Sequence, residues 1–133
     1  MSRELIRAEA ARLVRPGSKV RCVDDGERVI VILEPYAPPA ADAFVPVDLE
    51  ALAFIVPATY KDAQPDNTGF YVKPVDLKLS ANGRPPTNAS PTPLLGSTWL
   101  KFSWALKGPP WDPEKDTLET HLANLEKRFL RRA

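Results

Sequence analysis

"WLKFSWALKGPPWDPEKDTLETHL", residues 99–122, holds all three tryptophans and the sole histidine of a chain of 133 residues. Its start, Trp99-Leu-Lys-Phe102-Ser103, ends on the strip's only serine, and Pro109-Pro110 then impose a turn. Beyond the turn the pattern becomes helical. Asp116-Thr117-Leu118-Glu119 places an N-cap acid three residues before a glutamate, and Leu118, Leu122, Leu125 and Phe129 form one apolar stripe. The spacing predicts a helix that starts near Asp112 or Asp116 and runs to about Leu130.

A second helix is expected at the other end. Arg3 to Val14 is rich in Ala, Leu, Glu and Arg, with Ile6, Ala10, Leu13 and Val14 at near-helical spacing before Pro16-Gly17 stops it. Four strand patterns lie between the helices: Ser18 to Val23, Arg28 to Leu33, Ala51 to Val56 and Gly69 to Val72. The first two flank Asp24-Asp25-Gly26-Glu27, a hairpin turn signal. Fifteen prolines, about twice the usual share, crowd the middle of the chain, and residues 80–98 read as a long Pro-rich flap. The expected fold is α+β: an N-terminal helix, a four-stranded antiparallel meander, the flap and a C-terminal helix, in a single domain over residues 1–133.

Composition narrows the function classes. A chain near this size buries close to 70% of its unfolded surface, so a sizeable core is expected. Eighteen Lys and Arg against seventeen Asp and Glu give a formal charge of +1, which supplies no field for nucleic acid. One cysteine and one histidine allow neither an internal disulfide nor a Cys/His metal cluster, and nothing calls for a cofactor. No apolar run approaches a membrane span, and the N-terminus has no signal-peptide pattern, so a cytoplasmic location is expected.

Three features together resemble the ubiquitin-conjugating enzyme superfamily, in particular its divergent bacterial members. In "VPATYKDAQPD", residues 56–66, Pro57, Tyr60 and Pro65 match the offsets of a Phe-Pro-x-x-Tyr-Pro-x-x-Pro-Pro segment that the family carries between its third and fourth strands. In "WDPEKDTLETHL", Trp111, Pro113 and Asp116 take the places of the family's Trp-Ser-Pro-Ala-Leu-Thr segment. The third feature is a spacing. The catalytic cysteine of common conjugating enzymes lies eight residues before that tryptophan, and 111 − 8 = 103 points to Ser103, while the only cysteine is Cys22 on the first expected strand. The His-Pro-Asn motif of the family is missing, Lys73-Pro74-Val75 being the nearest string. Where bacterial members have an Arg-His pair after the serine, Trp104-Ala105 stand instead.

The resemblance implies transfer of a ubiquitin-like modifier, received from an adenylating activating enzyme, with these two proteins as partners and an oxyester on Ser103 replacing the thioester. A serine hydroxyl requires a base close by, within about 3 Å, and His121 is the only imidazole available. The bland reading of His121 is a helix-edge residue that packs its ring on the core. Lys101 and Lys107 flank Ser103 and would stabilise an oxyanion or an acidic tail, or are simply solvated charges. Trp99 and Trp104 fall on opposite faces if the segment is extended, so one of them is free to mark a partner surface, and Trp111 is expected beneath the helix start. Two further readings stay open: a catalytically silent conjugating-fold adaptor, and an unrelated α+β module whose flap meets a peptide.

Overall fold

The computed structural model describes residues 2–39, 44–45, 48–103 and 110–130, with the side chains of Ser2 and Leu130 excepted. Helix α1 covers Ser2–Ala10 and tightens into a 3-10 turn over Ala11–Leu13. Strands β1 (Lys19–Asp25), β2 (Arg28–Glu34), β4 (Ala51–Pro57) and β5 (Gly69–Lys73) are the four expected strands, each displaced by no more than two residues. Helix α2 covers Leu118–Leu130. It starts later than either expected residue because the Asp116 carboxylate accepts the Asp112 N–H at 2.8 Å, closing a turn ahead of the helix.

The main correction concerns the Pro-rich stretch. Residues 80–98 are not one flap: Ala89–Leu94 form β7, which pairs with β8 (Ser97–Ser103). The sheet therefore has six strands in the order β1-β2-β4-β5-β8-β7, all pairings antiparallel, and a separate pair joins β3 (Phe44–Val45) to β6 (Lys78–Leu79). Proline normally argues against a strand, but β7 is an edge. The Ser103 N–H donates to the Asn88 carbonyl at 2.8 Å, which sets the phase of the ladder. Asn88, Ser90 and Thr92 turn their backbone groups to β8, while Pro91 and Pro93 stand at the outward positions, where no N–H is needed. The prolines thus close this edge to further pairing, and charged Lys19, Arg21, Asp24 and Asp25 line the opposite edge on β1.

Alternation along the strands divides the apolar residues between two faces. Val29, Val31 and Leu33 of β2, Leu52, Phe54 and Val56 of β4, Phe70 and Val72 of β5, and Leu100 and Phe102 of β8 face the helices. Ile6, Ala10 and Leu13 from the first helix and Leu118, Leu122, Leu125 and Phe129 from α2 close that core. Phe129 alone meets the rings of Tyr36, Phe44, Phe70 and Phe102 at centroid distances of 5.3 to 5.8 Å. Val14, expected in the apolar stripe, is 56% exposed, because the chain leaves helical geometry there with ψ at 132°. On the other face Ile30, Ile32, Ala53, Ile55, Tyr71 and Trp99 make a second buried cluster.

The β7–β8 hairpin turns on Leu95-Gly96, with φ of 52° and 77°. Two positive φ values define the type I′ turn, for which asparagine or aspartate is preferred at the first position and a leucine is strained. Leu95 is also half in solvent, so its side chain returns little in packing. Leu95→Asn should therefore raise the unfolding free energy by about 1 kcal/mol. Urea denaturation of the two proteins checks it, and an unchanged or lower midpoint would contradict the strain argument.

Candidate functional site

Trp111 anchors the strip that precedes α2. Its ring packs against Tyr60 with centroids 5.7 Å apart, and its indole N–H donates to the Lys61 carbonyl at 3.0 Å. Tyr60 is itself held by Glu9, whose buried carboxylate accepts the phenol O–H at 2.6 Å and the Leu118 N–H at 2.9 Å. Two of the short strings in the sequence therefore meet in space through Tyr60 and Trp111. Trp111 also walls a shallow cleft of ≈ 470 Å³ with Asp62, Ala63, Gln64 and Pro113.

Ser103 is the last residue of β8, exposed, and paired with Gly69 of β5. Leu100 and Phe102 point to the helices and Trp99 to the opposite face, so the alternation puts Lys101 and Ser103 on the face of Trp99. Gly69 has a specific reason to lack a side chain: a Cβ there would lie 2.5 Å from the Phe102 carbonyl oxygen and 3.0 Å from Lys101 Cε. The stem of Lys101 occupies that space. Its ammonium stands 5.6 Å from the centre of the Tyr71 ring. Trp104 and Lys107 lie outside the described residues.

His121 lies elsewhere. Its ring is 4% exposed, within α2, and packs on Phe54 at a centroid distance of 5.0 Å. Phe54 belongs to the helix-side core, so the imidazole and the Ser103 hydroxyl are on opposite sides of the sheet, and the expected serine–histidine pair is not assembled. Burial pushes the imidazole pKa down to about 4, although the charge of Asp66 works in the other direction. His121 Nε2 is buried with no hydrogen-bond partner. The one thiol fares no better as a nucleophile. Cys22 on β1 packs, half-buried, against the helix-side core, and burial raises its pKa, so little thiolate forms near neutrality.

Three residues that matter here were not singled out by the sequence reading. Glu9 is one of several charged residues in the first helical pattern, and Lys73 entered only as the start of Lys73-Pro74-Val75, just beyond the fourth strand pattern. Gly69 looked like a strand boundary. Only a register places Gly69 opposite Ser103 and Lys73 next to Trp99. Among the described residues no group of three or more His, Cys, Asp or Glu is placed to hold a metal, and no helix is long and apolar enough to cross a membrane.

An amphipathic helix, an antiparallel sheet and a C-terminal helix entered through Trp-x-Pro describe an E2-like, ubiquitin-conjugating-type domain. The family model for Prokaryotic E2 family E matches residues 5–132, and the chain belongs to that family. No curated protein and no solved structure matches it. Membership implies a role in ubiquitin-like conjugation and, in general, partnership with a ubiquitin-like modifier and its activating enzyme.

The depressed pKa of His121 makes stability pH-dependent with a definite sign. The unfolded chain binds a proton near the ordinary value of 6.5 and the folded chain only near 4, so the contribution is full above pH 6.5 and is lost as the pH falls toward 4. The loss should be about 3 kcal/mol, and His121→Leu should abolish that part of the acid sensitivity while leaving that of the carboxylates. Urea titrations at pH 7.5 and 4.5 decide it; an equal pH dependence in both proteins would show that His121 titrates normally.

Proposed function

We propose that this chain acts in a ubiquitin-like conjugation system as a conjugating-fold adaptor, which binds the modifier or its activating enzyme without forming an acyl intermediate. One observation carries the proposal: the only thiol and the only imidazole are both turned into the helix-side core, away from the face of Ser103. A hydroxyl near neutral pH is a poor acyl acceptor without a base, and the chain has no second histidine to supply one. Ser103 and Lys101 are then partner contacts at the end of β8, with Lys101 preset over Tyr71, and Trp104 and Lys107 are proposed as contacts from the sequence alone.

The enzyme reading remains the competitor, on one specific ground: the Ser103 hydroxyl is exposed at the position to which the Trp111 spacing points. In that reading the modifier's C-terminal carbonyl is attacked by the Ser103 oxygen, an oxyester forms, and the activating enzyme's thiol leaves with the proton.

Mixing the protein with an activating enzyme, a ubiquitin-like modifier and ATP separates the two. We expect no covalent adduct, together with reversible capture of the modifier or of the activating enzyme that Lys101→Glu weakens. A hydroxylamine-sensitive, thiol-resistant adduct that disappears in Ser103→Ala would overturn the adaptor reading and establish the oxyester.

A further inference from the structure

The face of the sheet opposite the helices carries, at its β5–β8–β7 end, an arrangement that neither the fold nor an acyl transfer requires. Lys73 of β5 places its ammonium 4.6 Å from the centre of the Trp99 ring on β8, and Lys101 of β8 places its own over Tyr71 of β5. The two pairs sit side by side in the register, so each lysine lies over the aromatic residue of the neighbouring strand. On β7, Thr92 is opposite Trp99 and exposed Ser90 is opposite Lys101. Exposed Ser103 ends the middle strand. Two cations thus stand on rigid aromatic supports in a shallow tray edged by hydroxyl groups.

Among the described residues neither cation has a carboxylate partner. The ion pairs among the described residues use Arg3, Arg7, Arg15, Arg21, Arg28 and Lys61, never Lys73 or Lys101. Toward the β1 end of the same face Arg21 holds Glu34 at 2.6 Å and Arg28 holds Asp25 at 2.8 Å. The two cations of the tray, by contrast, stand side by side with no carboxylate between them among the described residues.

We propose that this tray docks an extended acidic segment of a protein partner, with carboxylates at alternate positions. The spacing argues for that pattern. Lys73 and Lys101 are diagonal neighbours on paired strands, with Cα atoms about 7–8 Å apart, and side chains two apart on one face of an extended peptide are separated by about 6.7 Å. Acidic residues at i and i+2 match the two ammonium groups, and the residue between them faces away. The peptide lies across the face and does not add to an edge, because Pro91 and Pro93 deny the outer edge of β7 the donors a new strand would need. A long polyanion is a poorer fit, since a formal charge of +1 provides no wider attraction. The proposal deepens the partner-docking reading above by giving the chemistry of what docks, and its test uses a free peptide so that the two stand or fall separately.

The probe is a fluorescein-labelled peptide with alternating Glu and Thr, compared with one of the same composition in which the glutamates are consecutive. The alternating peptide should bind the intact chain more tightly by fluorescence anisotropy, and binding should weaken as salt is raised. Lys73→Gln with Lys101→Gln should cut the affinity by about tenfold or more, and Arg21→Gln on the same face should leave it unchanged. Amide shifts of the unsubstituted protein, which need no variant to fold, should concentrate on Ser90, Thr92, Trp99 and Lys101. The proposal is overturned by no binding at millimolar peptide, by shifts centred elsewhere, or by a folded double variant that binds as tightly as the original. A short oligothymidylate that binds as well as the peptide would overturn it too.

Discussion

The Glu9 carboxylate, 5% exposed, is the contact through which the helices and the strip before α2 are held to one another. Besides the Tyr60 hydroxyl and the Leu118 N–H it receives the Lys61 ammonium at 3.3 Å. Removing a carboxylate from water costs several kcal/mol, so its retention requires that nearly every oxygen lone pair find a donor. Here two different segments supply three donors: the connection after β4 gives two and the first turn of α2 gives one. A negative charge at the start of α2 is also favoured by the helix dipole. Because Trp111 then rests on Tyr60 and bonds the Lys61 carbonyl, the distance from Trp111 back to the end of β8 becomes a structural quantity.

That dependence explains why some of the molecule was legible in the sequence. The stripe Leu118, Leu122, Leu125 and Phe129 has helical period, and all four residues are buried in the core. The five successive apolar residues from Val29 to Leu33 are buried because β2 is internal, flanked by β1 and β4, with a packed cluster on each face. Tyr60 and Trp111 were readable as spacings because they meet one another, and Tyr60 is fixed by one buried acid. Local patterns were enough wherever a residue's role followed from its own element.

They failed where the role came from a neighbouring strand. Proline forbids a central strand but suits the outward positions of an edge, and nothing in "ASPTPL" says which side of the chain faces solvent. Leu95-Gly96 carries no turn signature at its first residue, and tertiary pairing imposes the φ of 52°. His121 stood at the border of the stripe in the sequence. In the fold it is drawn fully into the core by Phe54, which no helical wheel could reveal.

The separation of Ser103 from His121 follows from the same geometry. A strand alternates its side chains, so the two faces of the sheet are chemically insulated from each other by the backbone itself. The helix-side face is fully covered, and any ionisable group drawn into it is either satisfied, as Glu9 is, or pushed toward its neutral form, as His121 and Cys22 are. What remains available on the other face near Ser103 is of a different kind: two lysines, two aromatic supports and exposed hydroxyl groups. Such groups bind and orient anions, and no imidazole or carboxylate is described among them. The chemistry of that face therefore favours recognition over acyl transfer, and a return to catalysis would require a base to be placed on β5 or β8, on the side that Ser103 faces.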